Sequence, residues 1–223
     1  MRKFDKLFLK EYIKTENPLF FDIGCYDGGD TLELKEIFPK STIICFDVDE
    51  RSIELFKKNV NVDGVHLYEM AISNKDGFVE WYNSTSDTRR HYEDKDWSAS
   101  SSIKKPKNHL SLFKDVSFYK KDEFVKSCRL DTFVEENNLS GKKIDLMWVD
   151  VNGSEGDMLI GSENTLKNTD FLFIEFSNSE LYEGEPNLNF LKEKLHDFEL
   201  IEIFDFYDNF GNAFFKKIKN NKK

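Results

Sequence analysis

The chain has 223 residues, enough for one domain with a full hydrophobic core and too few for two of ordinary size. Its formal net charge of −10 argues against a nucleic-acid partner, because nonspecific affinity for nucleic acids rests on clustered Lys and Arg. No apolar stretch approaches the roughly 18 residues of a membrane span, and no signal-peptide core follows the N-terminus. Three cysteines without a C-x-x-C pair predict reduced thiols. We therefore expect a cytoplasmic protein with no membrane span.

Short apolar runs alternate with helical patterns along most of the chain. The apolar runs predict buried strands at 19–23, 42–46, 65–68, 144–149 and 171–176. Helical spacing predicts helices at 5–15, 31–38, 50–59, 156–166 and 188–198. A further strand is predicted at 78–82, and 200–204 with 213–218 reads as a closing β-hairpin.

Repeated β-α units impose a parallel sheet with right-handed crossovers. We therefore predict an α/β fold, a mostly parallel seven-stranded sheet that ends in an antiparallel β-hairpin, with helices on both faces. We expect a single domain in which residues 1–17 form an N-terminal helical extension and residues 219–223 form a frayed tail. Ligands of such sheets bind outside the carboxyl ends of the strands.

The first strand is followed by a glycine-containing loop, Asp22-Ile23-Gly24-Cys25-Tyr26-Asp27-Gly28. Gly24 permits a tight turn, and Gly28 lets the backbone approach a ligand closely. The spacing differs from G-x-G-x-x-G, which places a pyrophosphate on a helix N-terminus. An ordinary strand-to-helix turn is the alternative interpretation of these two glycines.

Carboxylates crowd the same end of the predicted sheet. They are Asp22, Asp27, Asp30, Asp47 and Asp49. These carboxylates would repel an anionic pyrophosphate, whereas they would attract a ligand that carries an ammonium and a sulfonium. The charges therefore favour S-adenosylmethionine over NAD. Asp47 ends the second strand, where it can accept both ribose hydroxyls. Ala71 and Ile72 follow the third strand and leave space for a flat adenine.

Several blocks of sequence resemble the FkbM family of S-adenosylmethionine-dependent methyltransferases between about residues 20 and 218. The blocks are Phe21 to Gly28, Phe46 to Asp49, Ala71 to Gly77, Ala99 to Ile103, Arg129 to Phe133, and Asp150 to Glu155. The chain departs from the family at Asp47, where Glu is usual, and at Asn152-Gly153-Ser154, where Gln or Glu, Gly and Ala are usual.

This resemblance implies a Rossmann-like class I methyltransferase fold and methyl transfer to a hydroxyl of a sugar or glycan. With the loop analysis, it gives a set of expected cofactor-binding residues. They are Asp22, Gly24, Tyr26, Gly28, Thr31, Asp47, Val48, Ala71, Ile72, Ser102 and Asp150. Alternative acceptors are another small molecule, a lipid or a peptide. A noncatalytic Rossmann binding module and a Rossmann oxidoreductase are the competing classes.

A sugar hydroxyl is a poor nucleophile until it loses its proton, so the reaction needs a general base or a metal. We expect three catalytic carboxylates, Asp150, Glu155 and Glu175, with Asp150 or Glu155 as the base. In the alternative interpretation, Asp150 orients the methionine ammonium and Glu155 caps its helix. No metal site is assigned, but Asp150, Glu175 and Asn178 offer the hard oxygens that Mg²⁺ accepts, so Mg²⁺ is considered as an additional cofactor.

Residues 83–108 lack regular patterning, and such long segments are functional lids or disordered. We expect a lid over the acceptor, formed by Arg89, Arg90, His91, Trp97 and Ser100 to Ser102. Trp97 would offer an apolar face to a sugar, and Arg89 or Arg90 would meet a phosphate. A solvated charged loop is the other interpretation. The sequence leaves the oligomeric state open.

Overall fold

The computed structural model describes residues 4–88, 90–91, 95–119, 124–207 and 209–218. Its centre is a seven-stranded sheet in which neighbouring strands are ordered β13-β14-β12-β11-β1-β2-β3. These strands are β1 (Leu19–Ile23), β2 (Thr42–Asp47), β3 (Val65–Glu69), β11 (Ile144–Val149), β12 (Thr169–Ser177), β13 (Phe198–Tyr207) and β14 (Phe210–Lys217). The strand β14 pairs antiparallel with both of its neighbours, β12 and β13, and all other pairings in this sheet are parallel. The predicted fold class is confirmed, including the closing hairpin.

Both faces of the central strands are covered by apolar side chains. All six residues of β11 are buried, because alternate side chains point into two separate cores. Met147 and Val149 face one core, while Leu146 and Trp148 face the other. In the second core the ring of Trp148 stacks on Phe173 with centroids 4.1 Å apart. Continuous apolar runs are therefore the correct signature of these strands.

The helices divide between the two faces of the sheet. They are α1 (Leu9–Tyr12), α2 (Gly29–Ile37), α3 (Glu50–Asn59), α4 (His109–Leu112), α5 (Leu130–Glu136), α6 (Glu155–Ile160) and α7 (Leu188–Lys194). The helices α1 to α3 contribute Leu9, Leu34 and Phe56 to one core. Those named α5 to α7 contribute residues such as Phe133 and Leu191 to the other. No helix within the described residues is long and apolar enough to cross a bilayer.

Three predicted helices are shorter than expected, and the one predicted at 188–198 ends at Lys194, with Phe198 already the first residue of β13. The N-terminal segment forms a 3-10 turn, Lys6–Phe8, and one α turn, and Ile13 is already extended. The segment 156–166 is divided into α6 and a separate 3-10 turn, Thr165–Asn168. The helix α6 ends at Gly161, whose backbone lies directly against the carbonyl of Ser73. The tail at 219–223 lies outside the described residues.

The segment 83–108 is more ordered than its sequence predicts. The described part contains β6 (Asn83–Thr85), β7 (Arg90–His91) and β8 (Lys95–Asp96), of which β7 and β8 pair with each other. Strand β6 pairs with β9 (Ser117–Tyr119). A second small sheet joins β4 (Ala71–Ile72), β5 (Gly77–Glu80) and β10 (Phe124–Cys128). Hydroxyl groups replace apolar periodicity here, and Ser84, Ser98 and Ser100 to Ser102 are buried.

The contact of Gly161 with Ser73 predicts a large effect of one added methyl group. In Gly161→Ala the new Cβ would lie 2.0 Å from the Ser73 carbonyl oxygen, a backbone atom that cannot rotate away. We expect a loss of about 1–3 kcal/mol in the free energy of unfolding, measured by urea denaturation. Gly29→Ala is the matched control, because its Cβ would meet only the rotatable Asp27 carboxylate at 3.2 Å. Equal stability of the two variants would contradict this packing argument.

Candidate active site

A cavity of about 180 Å³ opens at the carboxyl ends of β1, β2 and β11. Gly24, Asp47 and Asp150, the residues directly after or at these strand ends, all line it. We call it the cofactor cavity. It lies where a doubly wound sheet is expected to bind its ligand.

The loop after β1 is folded tightly against both neighbouring strands. The N–H groups of Gly24 and Cys25 both donate to the Phe46 carbonyl, at 2.9 and 3.1 Å. Gly24 has φ +88°, and a Cβ there would lie 1.8 Å from the Asp150 carbonyl oxygen. Only glycine fits this position. Its role is to bring the loop next to the end of β11.

Gly28 serves the packing of the protein rather than the cavity. It has φ +83°, and a Cβ there would meet Val60 at 2.2 Å and Phe56 at 3.0 Å, on and just after α3. Gly28 does not line the cofactor cavity. The close approach that Gly28 permits is therefore made to the side chains on and just after α3.

Asp47 organises the entrance of the cavity from β2. Its carboxylate accepts hydrogen bonds from the backbone N–H groups of Tyr26 at 2.8 Å, Val48 at 2.7 Å and Asp49 at 3.0 Å. Loss of solvation nevertheless raises the pKa of Asp47 to about 7, against these stabilising bonds. Tyr26 and Val48 also line the cavity. Asp47 thus fixes the loop and presents a carboxylate that gains from a cationic or hydroxyl ligand.

The cavity combines acidic groups with an apolar wall. Asp30, Asp49 and Asp150 join Asp47 among the lining residues. The apolar lining residues are Phe46, Val48, Met70, Ala71, Ile72, Trp81 and Ile103. Carboxylates suit an ammonium, a sulfonium and ribose hydroxyls, and the apolar wall suits a flat adenine. The residues present therefore fit S-adenosylmethionine.

Three expected cofactor residues lie behind the cavity wall. Asp22 and Thr31 are fully buried, and the Thr31 hydroxyl donates to Asp22. Burial raises the pKa of Asp22 to about 7, and its Oδ1 has no hydrogen-bond partner among the described residues. Ser102 donates to the Asn152 carbonyl at 2.7 Å. These side chains support the residues that form the wall and do not line it themselves.

One wall comes from a part of the chain that sequence reasoning assigned to a lid. Ser98, Ala99, Ser101 and Ile103 line the cofactor cavity. Trp97 does not line it, and its indole N–H donates to the Ser100 hydroxyl at 3.0 Å. Of the other expected lid residues, Arg89 and the side chains of Arg90 and His91 lie outside the described residues.

Arg51, at the start of α3, holds this wall in place. Its guanidinium forms a fork with the Asp49 carboxylate, at 2.9 and 2.6 Å. The same group donates to the Ser84 carbonyl at 2.9 Å and the Ser101 hydroxyl at 3.1 Å. A rigid planar group with several donors is suited to such a junction. No sequence pattern indicated it, because its partners lie 33 and 50 residues away.

The three expected catalytic carboxylates come together beside the cofactor cavity. Oxygen atoms of Asp150, Glu155 and Glu175 lie within 4.8 Å of one another, and we call them the carboxylate cluster. Asn178, the other expected oxygen ligand, turns its Oδ1 to the N–H of Leu188 at 3.4 Å. Topology explains the convergence, because β11 and β12 are parallel neighbours and α6 begins just after β11.

Members of the carboxylate cluster differ in their affinity for protons. Asp150 is open to the cavity, yet surrounding protein desolvates it and raises its pKa to about 6, with Asp30 adding repulsion. Burial raises the pKa of Glu155 to about 8. Burial and repulsion from Asp150 raise the pKa of Glu175 well above its ordinary value. The interaction between the two side chains raises the pKa of Glu175 further and lowers that of Asp150, so Asp150 is the more readily ionised of the pair.

Glu155 shapes the loop between β11 and α6. Its Oε1 accepts from the N–H groups of Val151 at 3.1 Å and Gly153 at 3.3 Å. This loop contains two left-handed residues, Asn152 with φ +50° and Gly153 with φ +88°. The other oxygen, Oε2, is buried without a partner among the described residues. Glu155 is therefore a loop-capping group whose second oxygen remains available to the cluster.

Comparison with known proteins agrees with this geometry. The model of the methyltransferase FkbM domain matches residues 22–210. A curated relative, "2-O-methyltransferase NoeI" of Sinorhizobium fredii, is 36% identical over 193 residues, covering 86% of this chain and 76% of the relative. The chain belongs to the FkbM methyltransferase family. It is accordingly an S-adenosylmethionine-dependent methyltransferase, as the resemblance implied.

Solved structures with low identity share the fold of this FkbM family member. The FkbM methyltransferase from Methylobacillus flagellatus has a TM-score of 0.54 at 10% identity. That alignment covers 96% of this chain but 48% of the other, so this chain spans about half the length of that relative. An rRNA methylase from Streptococcus thermophilus has a TM-score of 0.50 at 13% identity, with 95% and 93% of the two chains covered.

The Arg51 junction predicts a coupling between wall order and cofactor affinity. Arg51→Lys keeps the charge but removes the planar fork, so Ser84 and Ser101 lose donors that hold the wall. We expect the Kd for S-adenosylmethionine to rise about three- to tenfold in isothermal titration. Arg129→Lys is the matched control, since that side chain is 41% exposed and lies 4.0 Å from Asp131. Equal Kd values for the two variants would contradict a coupling between the Arg51 junction and cofactor affinity.

The raised pKa values in the cavity predict pH-dependent cofactor binding. A cationic ligand prefers ionised carboxylates, and Asp47 and Asp150 take up protons as the pH falls through about 7 and about 6. We expect the Kd for S-adenosylmethionine to rise about tenfold as the pH falls from 8 to 5. Titration calorimetry at several pH values measures this. Asp150→Asn should remove the part of the dependence near pH 6, and a flat wild-type profile would refute the electrostatic account.

Proposed function

We propose that this protein transfers the methyl group of S-adenosylmethionine to a hydroxyl of a sugar or glycan. The observation that carries the proposal is the carboxylate cluster at the edge of the cofactor cavity. It places one ionised carboxylate, Asp150, beside two groups that hold protons, Glu155 and Glu175. The relative from Sinorhizobium fredii, described as a 2-O-methyltransferase, also supports transfer to oxygen.

Asp150 is the residue of the cluster best suited to act as the general base. It lines the cofactor cavity, and its pKa of about 6 leaves it ionised near neutral pH while keeping appreciable affinity for a proton. S-adenosylmethionine supplies the methyl group, whose bond to sulfur breaks as the bond to the acceptor oxygen forms. The hydroxyl proton passes to Asp150, and the products are S-adenosylhomocysteine and a methyl ether.

Glu175 and Glu155 have positioning roles in this scheme. A protonated Glu175 would donate a hydrogen bond to the ionised Asp150 carboxylate and so hold that carboxylate in one orientation. Glu155 fixes the loop that carries Asn152 and Gly153. Much of the rate enhancement in an in-line displacement comes from alignment, so rigid placement of this loop contributes directly.

Three finer parts of the proposal rest on separate features. The carboxylate oxygens lie close enough to share one divalent ion, so dependence of the reaction on Mg²⁺ belongs to the same test. The three cysteines are buried and unpaired, which supports a reducing, cytoplasmic location. The formal net charge of −10 supports a small-molecule or glycan acceptor rather than nucleic acid.

The proposal is tested by binding and by transfer. We expect micromolar binding of S-adenosylmethionine and S-adenosylhomocysteine, with NAD as the negative control, and transfer of a labelled methyl group to members of a panel of glycosides. Asp150→Asn should lower kcat by on the order of 10²–10⁴, because the general base is lost. Glu199→Gln, an exposed change on β13, is the matched control.

Other outcomes distinguish the alternatives. Transfer to lipids or peptides in place of glycosides would replace the proposed acceptor and leave the cofactor assignment intact. A larger loss of kcat in Glu155→Gln than in Asp150→Asn would move the base to Glu155. Loss of activity in EDTA, restored by Mg²⁺, would show that the cluster binds metal.

A further inference from the structure

A second cavity of about 120 Å³ lies next to the cofactor cavity. Four of its lining residues carry rings, namely His109, Phe113, Tyr182 and Phe210, and Glu175 and Asn152 complete the side towards the cofactor cavity. We call it the aromatic cavity. A water needs roughly 10–15 Å³ on this scale, so the space holds a group of about ten non-hydrogen atoms, the size of one sugar ring.

The two cavities meet at the residues proposed for catalysis. Asn152 lines both of them. Asp150 lines the cofactor cavity and Glu175 lines the aromatic cavity, and oxygen atoms of the two carboxyl groups lie within 4.8 Å of each other. A hydroxyl placed at the junction is therefore near the base from one side and near the cofactor cavity from the other.

The aromatic wall is built rigidly. The Tyr182 hydroxyl donates to the Ser100 carbonyl at 2.7 Å, and its ring packs so closely on Gly153 that a Cβ there would lie 2.7 Å from the Tyr182 side chain. His109 fills the space between rings, with centroids 4.8 Å from Phe113 and 5.4 Å from Tyr182. His109 and Tyr182 are themselves buried and back the wall, so the ring surface open to the cavity comes from the half-buried Phe113 and Phe210, which suits the C–H face of a pyranose.

The two segments that carry this wall are fastened to each other. The N–H of Lys107 donates to the Leu181 carbonyl, and the N–H of Glu183 donates to the Lys105 carbonyl, both at 2.8 Å. An ion pair of 3.0 Å between the side chains of Lys105 and Glu183 crosses the same junction. The cavity is therefore a formed feature of the fold.

The electrostatic character of the cavity excludes one class of ligand. Within the described residues, neither Lys nor Arg lines it. Four carboxyl groups act on the buried Tyr182 hydroxyl and, with burial, raise its pKa: Glu175, Glu185, Asp150 and Glu155. A phosphate or carboxylate entering this space would find no cation to compensate its charge and would lie near the ionised Asp150 carboxylate.

We infer that the aromatic cavity is the acceptor subsite, and that it takes a sugar ring carrying no anionic group, stacked on the rings with one hydroxyl directed to the Asp150–Glu175 pair. This inference rests on the proposed function and narrows its substrate class. It also separates acceptor recognition from cofactor binding, since the ring-bearing residues do not line the cofactor cavity.

The test compares acceptors and variants. Phe113→Ala and Phe210→Ala remove half-buried rings at the cavity while leaving the cofactor cavity intact. We expect each to raise KM for a neutral p-nitrophenyl glycoside by about fivefold or more, with the Kd for S-adenosylmethionine unchanged. Phe78→Ala, whose ring is 71% exposed on the small sheet, is the matched control and should change neither value. The matching uronide and 6-phosphate should show kcat/KM at least about tenfold lower than the neutral glycoside.

The other possible results contradict the subsite, the acceptor class or the separation of the two cavities, depending on which is observed. An active wild-type protein whose KM is unchanged in both variants, or that prefers the anionic sugars, would overturn this inference and leave sugar methylation standing. Binding of S-adenosylmethionine without transfer to any glycoside would overturn the proposed acceptor class and this inference with it. A rise in cofactor Kd in Phe113→Ala or Phe210→Ala would show that the two cavities are not separate.

Discussion

The contact between the Gly24 backbone and the Asp150 carbonyl is the constraint on which the rest of the site depends. A Cβ at Gly24 would lie 1.8 Å from that oxygen, so the loop after β1 and the end of β11 can meet only through glycine. This contact closes one side of the cofactor cavity. It also fixes where Asp150 stands relative to Asp47, because the same loop is held to Asp47 through the Tyr26 N–H. One turn of backbone therefore sets the positions of Asp47 and of the proposed base, Asp150.

The carboxylates around the cofactor cavity differ in the contacts that hold them in place. Hydrogen bonds from three backbone N–H groups give Asp47 a fixed orientation. Asp150 receives its orientation from Glu175 and remains open to the cavity. Identical chemical groups thus serve the cofactor, the acceptor or the loop according to their surroundings, as expected where environments push pKa values apart.

The sequence predicted the sheet and the positions of Asp47, Ala71 and Asp150 because these follow from local patterns. Buried strands are continuous apolar runs, and residues at their carboxyl ends meet at one edge. The wall formed by Ser98 and Ser101 and its attachment to Arg51 was not predictable in the same way. Those contacts join segments 33 and 50 residues apart without periodicity, and they use hydroxyl groups that read as loop residues.

The aromatic cavity escaped prediction for the same reason, because its rings come from positions 109, 113, 182 and 210 on four separate parts of the chain. Gly28 and Thr31 lie close to the cofactor loop in sequence but do not line the cofactor cavity, so their expected contact with the cofactor stays a prediction. Their side of the loop packs against α3 and Asp22. Local pattern locates the site well, but it does not distinguish the residues that face the ligand from those that support them.

The buried carboxyl groups also make the folded protein a reservoir of protons. Asp22, Asp47 and Glu185 have pKa values of about 7 and Glu155 of about 8, all raised chiefly by desolvation. The folded chain therefore carries less negative charge near neutrality than the formal −10. Unfolding at pH 7 releases these protons, so the heat of unfolding includes the ionisation enthalpy of the buffer. Since the folded state binds more protons than the unfolded state, stability falls as the pH rises from about 4 towards 8. The acidity that draws a cationic cofactor is thus held, until the cofactor arrives, in partly neutralised form.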